Sequence, residues 1–234
     1  MTSEKSSKPE FFGKDTASHY DKNNLPMPPI YDNLHFLIKA VLNGLPSDSK
    51  ILSIGAGTGT EIIKLAETYP GFTFTAVDPS AEMLEVCRNR LGTFGLVDRC
   101  EFIHGYVQSL PSEETFDAAL CILVTHHTPQ EERQKIMNGA AKRLKPKGYF
   151  IVAELSFDWS SDQVEDDLEK WKSVIRLTGA QEQKIQTIPK MFREHLSVLS
   201  PEKAEDLLKA NGFDSPVQFF QSMIMRAWYC RKKA

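Results

Sequence analysis

The sequence has no excess of positive charge, since its 234 residues carry a formal net charge of -3 at pH 7. This balance provides no global field that would hold a polyanion, so nucleic acid is possible as a partner but is not indicated. No apolar run reaches the roughly 18 residues that a membrane helix needs, and residues 1–9 lack the apolar stretch of a signal peptide. These absences predict a cytoplasmic protein with no membrane contact.

Cysteine is scarce and scattered, with Cys87, Cys100, Cys121 and Cys230 far apart in the sequence. No two of them form a C-x-x-C pair, so the pattern indicates neither a zinc site nor a redox dithiol, and no metal is expected. We therefore expect reduced and mostly buried thiols, which fits a cytosolic location.

Short apolar or β-branched runs alternate with segments of helical spacing from residue 51 to residue 155. The runs predict strands at residues 51–54, 72–77, 100–106, 116–123 and 149–155. Helices are predicted at residues 61–69, from the N-cap Ser80 to residue 94, and from residue 128 or 129 to residue 144. This alternation implies right-handed crossovers and a parallel sheet that is covered on both faces.

The segments on either side of residues 51–155 do not show this alternation of strands and helices. Helices are predicted at residues 11–20, 30–42, 162–179, 188–199 and 200–211, and the prolines of residues 25–29 are expected to interrupt the first pair. Two last strands, at residues 217–220 and 223–230, predict an antiparallel hairpin at the sheet edge. We predict one α/β domain over residues 1–234: a helical cap (1–48), a ligand-binding core (49–156), a helical insertion (157–212) and the final strands (213–234).

A glycine-rich loop, Gly55-Ala56-Gly57-Thr58-Gly59, joins the first predicted strand to a helix. Glycines let the backbone turn sharply and approach a ligand, and the following helix N-terminus offers free amides to a negative group. Thr60 replaces the third glycine of the dinucleotide fingerprint, and no Lys completes a phosphate-binding loop. The loop therefore indicates a ligand of another kind, or a tight turn that binds nothing.

Asp78 ends the second predicted strand. A carboxylate at this place can accept hydrogen bonds from both hydroxyls of a ribose, so it favours a nucleoside ligand without identifying it. The alternative is that Asp78 begins a turn with Pro79 and Ser80.

The G-x-G-x-G spacing after a strand is the first motif of class I S-adenosylmethionine-dependent methyltransferases, and residues 51–155 resemble that family. The other matching motifs are Gly105, Leu110-Pro111, Phe116-Asp117 and Leu144-Lys145-Pro146-Lys147-Gly148. The resemblance implies a Rossmann-like, seven-stranded, mostly parallel sheet with a C-terminal antiparallel hairpin and helices on both faces. It also implies S-adenosylmethionine as the cofactor.

Two positions depart from the family pattern. Ser53 stands where many members carry an acid, and Tyr106 stands where an Asp holds the adenine amino group. The adenine contact would then pass to the Val107 amide or to Gln108.

The resemblance also implies site residues. The glycines lie beside the methionyl end of the cofactor, Asp78 holds its ribose, and one of His126 and His127 faces the acceptor as a general base or simply packs there. The cofactor set comprises Tyr31, Gly55, Ala56, Gly57, Gly59, Asp78, Pro79, Met83, Tyr106, Val107 and the backbone near Cys121.

A closer likeness is to the carboxy-S-adenosylmethionine synthase branch, which acts in wobble-uridine modification of transfer RNA. The likeness is carried by Pro29-Ile30-Tyr31-Asp32-Asn33, Glu131-Glu132-Arg133-Gln134, Leu208-Lys209-Ala210-Asn211-Gly212-Phe213 and Phe219-Phe220-Gln221. In that branch a tyrosine of the N-terminal helix contacts the cofactor, which points to Tyr31. An arginine holds the extra carboxylate, and Pro189 falls at its position, with Lys190 and Arg193 nearby.

The sequence thus predicts methyl transfer to a small-molecule acceptor that it does not identify. Carboxyl transfer, another transfer RNA modification, a nicotinamide oxidoreductase and a non-catalytic nucleoside-binding subunit remain alternatives. Residues 20–31 and 159–199 are expected to cover the acceptor, and a homodimer is the default expectation. Candidate lining residues are Phe11, Phe12, Tyr20, Trp159, Trp171 and Phe192.

Overall fold

The computed structural model describes residues 27–233, and the helix predicted at residues 11–20 lies outside them. The helices are α1 (Pro28–Leu42), α2 (Thr60–Thr68), α3 (Ala81–Thr93), α4 (Gln130–Arg143), α5 (Val164–Leu177), α6 (Glu182–Gln186), α7 (Ile188–His195) and α8 (Pro201–Ala210). The strands are β1 (Lys50–Ile54), β2 (Thr73–Asp78), β3 (Cys100–His104), β4 (Phe116–Ile122), β5 (Leu144–Leu155), β6 (Val217–Ser222) and β7 (Met225–Arg231).

The seven strands form one sheet in the order β3-β2-β1-β4-β5-β7-β6. Strands β1 to β5 run parallel, and β7 pairs antiparallel with both β5 and β6. The predicted mostly parallel sheet with a C-terminal hairpin at its edge is confirmed. Strand order reverses between β1 and β4, which places a ligand crevice at their carboxyl ends.

Helices cover both faces of the sheet because strand residues alternate between the faces. In β1, Ile51 packs into an apolar cluster with α1, α2 and α3, whereas Leu52 and Ile54 pack into a second cluster with α4 and α8. The sheet is therefore packed against helices on both faces.

The predicted cap at Ser80 is confirmed, and Ser200 caps the helix that was predicted to begin there. The Ser80 hydroxyl accepts the Met83 N–H at the start of α3 (3.2 Å), and the Ser200 hydroxyl accepts the Lys203 N–H at the start of α8 (3.4 Å). Both contacts satisfy an amide that a helix N-terminus would otherwise leave unpaired.

Some predicted boundaries were wrong. Pro28 and Pro29 open α1 instead of interrupting it, because the first helical turn needs no N–H partner. Strand β3 stops at His104, since Tyr106 caps a short 3-10 helix over Val107–Ser109, and β5 begins at Leu144 instead of residue 149.

The helical insertion is more broken than the sequence predicted. The helix expected at residues 188–199 ends at His195, where the chain turns extended and bridges Leu199 to Ser156. The short α6 was not predicted, since Ile185 is its one buried residue. None of the helices in residues 27–233 combines the length and the apolar character that crossing a membrane requires. The division into cap, core, insertion and final strands stays a prediction.

Candidate functional site

The glycine loop has a left-handed backbone at each of its three glycines. The φ angles are +64° at Gly55, +53° at Gly57 and +81° at Gly59. A side chain at such an angle costs roughly 1–2 kcal/mol. The loop is fastened to β2, because the Val77 carbonyl accepts the Gly55 and Ala56 amides at 2.8 and 3.1 Å. The G-x-G-x-G spacing is thus a requirement of the backbone itself.

The space around the three glycines differs. A Cβ on Gly55 would lie 2.5 Å from Val124 Cγ2, and one on Gly59 would lie 2.6 Å from Cys87 Sγ. A Cβ on Gly57 would meet nothing closer than the Gly55 carbonyl oxygen at 4.0 Å. The loop is therefore packed at both ends and open at its centre, where a ligand can approach the backbone.

Asp78 shapes this loop as well as facing it. Its Oδ2 accepts the Gly57 amide and its Oδ1 accepts the Ser80 amide, each at 2.9 Å. Burial raises the pKa of this carboxyl, and the two amide contacts oppose that shift. Each oxygen keeps a second lone pair, so the carboxylate can also accept the two hydroxyls of a ribose.

Arg90 of α3 is a loop residue that the sequence did not reveal. Its Nη1 donates to the Thr58 carbonyl (2.9 Å), to the Thr58 hydroxyl (2.7 Å) and to the Thr60 hydroxyl (3.1 Å). The guanidinium therefore holds the loop at Thr58 and Thr60, next to the Gly57 amide that Asp78 holds. No motif marks this residue, because 30 residues separate it from Thr60 in the sequence.

The end of β3 joins the same corner. The Gly105 amide donates to the Asp78 carbonyl at 3.0 Å, and His104 Nε2 lies 3.0 Å from the Pro79 carbonyl oxygen. Tyr106 is 61% exposed, whereas Val107 is buried. The structure thus brings Pro79, Tyr106 and Val107 next to Asp78. Their contact with adenine stays a prediction.

On β4, Cys121 is fully buried in the second cluster. Burial raises the pKa of its thiol to about 12, so the side chain is a neutral core group. The contact of the backbone near Cys121 with the cofactor stays a prediction. The other thiols within residues 27–233 are also free, and of these Cys87 and Cys230 are buried.

The histidine pair follows β4 in a 3-10 turn over Thr125–His127. Leu123 enters this turn with a φ of +59°, a strained angle for a branched side chain. His126 is buried, its ring centre lies 4.3 Å from that of His127, and its Nδ1 has no hydrogen-bond partner within the described part of the chain. Burial lowers the pKa of both imidazoles, that of His126 well below 6.5. Both rings are therefore neutral at neutral pH.

The stability of the protein should fall on mild acidification because of His126. Since its folded-state pKa is below the unfolded value of 6.5, the unfolded chain binds a proton first as the pH drops through that value. The free energy of unfolding then decreases by up to about 1.4 kcal/mol per pH unit for each such proton. Urea unfolding between about pH 5.5 and 8.5 measures this slope.

His126→Gln is the matched variant for that slope. Plotted against pH, the free energies of unfolding of the variant and of the unchanged protein should run parallel above about pH 7.5. There the imidazole takes up no proton in either the folded or the unfolded state. Below about pH 6.5 the variant should lose less stability, while His127 keeps its own share of the dependence. Identical slopes for the two proteins would contradict the buried, neutral state of His126.

Helix α1 is attached beside the loop by a contact that the sequence did not predict. His35 Nε2 lies 3.1 Å from Glu61 Oε1 in the first turn of α2, and His35 is buried. Tyr31, half-buried, precedes His35 by one helical turn on α1. Met83, in the first turn of α3, is buried. The contact of Tyr31 and Met83 with the cofactor stays a prediction.

The insertion supplies few open aromatic side chains. Trp171 and Phe192 are buried in the first core cluster, which is ordinary packing, and Phe11, Phe12 and Tyr20 lie outside the described residues. Trp159 is half-buried, and the Arg193 guanidinium lies 3.9 Å from its ring centre. Residues 27–233 contain no group of three His, Cys, Asp or Glu side chains that could hold a metal ion.

Comparison with known proteins agrees with this site. A family described as methyltransferase domain matches residues 51–148, which include the glycine loop, Asp78 and the histidine pair. Over this stretch the chain is therefore similar to methyltransferase domains. The matched stretch has its glycine loop open at Gly57 and a carboxylate with free lone pairs at Asp78, so its residues fit S-adenosylmethionine.

The names of the relatives that resemble this chain refer to different compounds. A demethylmenaquinone methyltransferase of Tropheryma whipplei is 30% identical over 60% of this chain and 56% of its own length. A carboxy-S-adenosyl-L-methionine synthase of Campylobacter jejuni is 28% identical over 61% of this chain and 60% of its own length. The chain thus spans little more than half the length of these curated relatives.

A solved structure shares the fold of the chain. The O-methyltransferase family 2 protein of Planctomyces limnophilus, in complex with apigenin, superposes with a TM-score of 0.66 at 17% identity. The match covers 94% of this chain and 61% of that one. At this identity the likeness concerns the fold alone.

Proposed function

We propose that this protein transfers a methyl group from S-adenosylmethionine to a small-molecule acceptor. The observation that carries the proposal is the pairing of a glycine loop that is open at Gly57 with Asp78, whose Oδ2 accepts the Gly57 amide at 2.9 Å. A turn that binds nothing has no need of a half-buried, left-handed glycine with open space before it and a buried carboxylate on its amide.

Different residues around the crevice would bind different parts of the cofactor. Gly55, Gly57 and Gly59 would hold the methionyl end, Asp78 the ribose, and the Val107 amide the adenine. Once bound, the cofactor supplies an activated methyl group on its sulfonium. The chain itself has to orient the acceptor and exclude water, and correct orientation alone is worth up to about 7–11 kcal/mol of the barrier.

His126 and His127 are proposed to face the acceptor. Both imidazoles are neutral at neutral pH because burial lowers the pKa of each ring. A neutral imidazole can accept a proton from a hydroxyl that attacks the methyl group. An acceptor that carries no proton on its attacking atom would need no base. For such an acceptor the histidine turn would serve only to position it.

A methyl-transfer assay tests this function. Methyl-labelled S-adenosylmethionine is incubated with the protein and a mixture of small metabolites, and the label is followed by mass spectrometry. We expect label in a small molecule that gains one methylene unit, with matching formation of S-adenosylhomocysteine. Label in RNA alone would replace the small-molecule acceptor by a nucleic acid, and no label in any product would favour a non-catalytic nucleoside-binding subunit.

Carboxyl transfer is the second candidate, since a carboxy-S-adenosyl-L-methionine synthase is among the relatives. The residue at the position of the carboxylate-binding arginine is Pro189, which lies in the first turn of α7. Lys190 is 76% exposed and lies 3.8 Å from Glu194, so Arg193 above Trp159 is the better candidate for a carboxylate. Recovery of a nucleoside with an extra carboxylate from the purified protein would support this candidate. The homodimer and the cytoplasmic location stay predictions.

A further inference from the structure

A buried charged pair contacts the histidine turn (Thr125–His127). Arg133 of α4 and Glu154 of β5 are both almost completely buried, and Arg133 Nη1 donates to Glu154 Oε1 at 3.0 Å and to Oε2 at 2.9 Å. Burial of two charges in this way costs several kcal/mol of desolvation for each ion, and an apolar pair of similar size is often as stable. The pair therefore calls for a reason other than stability.

The hydrogen bonds of the pair show which segments it joins. Arg133 Nη2 donates to the Thr125 carbonyl at 3.0 Å and to the Ser197 carbonyl at 2.5 Å. The Thr125 hydroxyl donates to Glu154 Oε2. The Ser197 amide in turn donates to the His126 carbonyl at 2.7 Å. The two charged side chains thus join the start of the histidine turn, at Thr125, to the segment that follows α7, at Ser197.

The same turn touches the glycine loop. Val124 precedes the histidine turn, and a Cβ on Gly55 would lie 2.5 Å from its Cγ2. Leu123, which enters the turn at a φ of +59°, donates its amide to the Ala153 carbonyl of β5 at 2.7 Å. Strain of this kind persists only where the surroundings fix the backbone, and it concentrates at functional sites.

We propose that Arg133 and Glu154 are positioning residues, which hold His126 and His127 in one fixed arrangement against the glycine loop. This inference rests on the proposed role of the histidine pair at the acceptor. In this proposal the buried pair aligns the histidine turn, which faces the acceptor, with the glycine loop, which faces the cofactor. The pair itself binds neither ligand.

Arg133→Lys is the principal test. A lysine keeps the positive charge next to Glu154, but a single ammonium cannot reproduce the planar fork that reaches Glu154, Thr125 and Ser197 together. Arg143→Lys is the matched control, since Arg143 is also buried on α4 and donates to the backbone carbonyls of Gly139 (3.0 Å), Gln108 (3.2 Å) and Leu110, none of which lies in the histidine turn.

The readout is the nitrogen-15 NMR spectrum of the two imidazoles, recorded with and without S-adenosylhomocysteine. In Arg133→Lys the His126 and His127 signals should shift or broaden, whereas in Arg143→Lys they should superpose on those of the unchanged protein. Affinity for S-adenosylhomocysteine should change by no more than about threefold in Arg133→Lys, because within residues 27–233 Arg133 donates only to Glu154, Thr125 and Ser197, none of which is a proposed cofactor residue. A merely structural role would lower the melting temperature of both variants and leave the imidazole signals in place.

A double variant, Arg133→Met with Glu154→Leu, removes both charges without leaving one of them unpaired, and is expected to fold. It should perturb the imidazole signals more strongly than Arg133→Lys does. Imidazole spectra of Arg133→Lys that superpose on those of the unchanged protein would overturn the proposal. Failure of the unchanged protein to bind S-adenosylhomocysteine would refute the proposed function instead, and the spectra without ligand would still decide whether the pair holds the turn.

Discussion

Replacement of Asp78 by asparagine is expected to weaken the binding of S-adenosylmethionine by more than about tenfold, since a hydrogen bond to a charged group contributes roughly 1.5–3 kcal/mol. Asparagine has the shape of aspartate but offers only one acceptor oxygen. That oxygen cannot serve the Gly57 amide, the Ser80 amide and two ribose hydroxyls at once. Asp78→Ala should weaken binding further, because both amides then lose their acceptor. Isothermal titration calorimetry measures the change in Kd.

Asp117→Asn is the matched control for this substitution. Asp117 also receives a backbone amide, that of Lys50 at 2.9 Å, and it pairs with Lys145 at 2.7 Å. It lies near the start of β4, at the opposite edge of the sheet from the crevice. Its substitution should therefore leave the affinity for S-adenosylmethionine unchanged. An Asp78→Asn variant that binds the cofactor as tightly as Asp117→Asn does would show that Asp78 shapes the loop but does not hold the ribose.

Gly59→Ala is expected to lower the free energy of unfolding by about 2–4 kcal/mol. Roughly 1–2 kcal/mol comes from the φ of +81°, which disfavours any side chain. The rest comes from overpacking, since the new methyl group would lie 2.6 Å from Cys87 Sγ and 2.8 Å from Leu91 Cδ1 in the core. In a protein of this size the melting temperature should fall by about 4–16 °C.

Two further glycines separate these contributions. Gly95 has a φ of +65°, and no atom lies within 4 Å of the position that an alanine methyl group would take. Gly95→Ala should therefore show the backbone cost alone, about 1–2 kcal/mol. Gly57→Ala should lose a similar amount of stability but should also bind S-adenosylmethionine more weakly, because its methyl group enters the open centre of the loop. Equal stability of Gly59→Ala and Gly95→Ala would contradict the packing described around Gly59.

The fold could be predicted from the sequence because each of its signals is local. The apolar run of β1, the glycines that follow it and the acid at the end of β2 lie within 30 residues of one another and specify one strand–loop–helix–strand unit. The hairpin of β6 and β7 was likewise visible as two runs with a short connection. These features depend on hydrophobic periodicity and backbone conformation, which neighbouring residues determine.

The contacts that complete the site could not be predicted, because they join residues that are distant in the sequence. Ser197 is 64 residues from Arg133, and Glu154 is 21 residues from it. The segment around Arg133 is strongly charged, so its pattern favours a solvated helix face, yet Arg133 is fully buried. Only the folded chain shows that Glu154 of β5 lies opposite it. Arg90 and the His35–Glu61 contact escaped prediction for the same reason.

The most direct test of the central claim is a calorimetric titration of the purified protein with S-adenosylmethionine, S-adenosylhomocysteine and NAD. The open Gly57 and the paired oxygens of Asp78 predict about micromolar binding of both sulfur nucleosides and no binding of NAD. Binding of NAD alone would contradict the methyltransferase assignment of the crevice. Binding of none of the three would mean that Ser53 and Tyr106 mark a fold that has lost its cofactor.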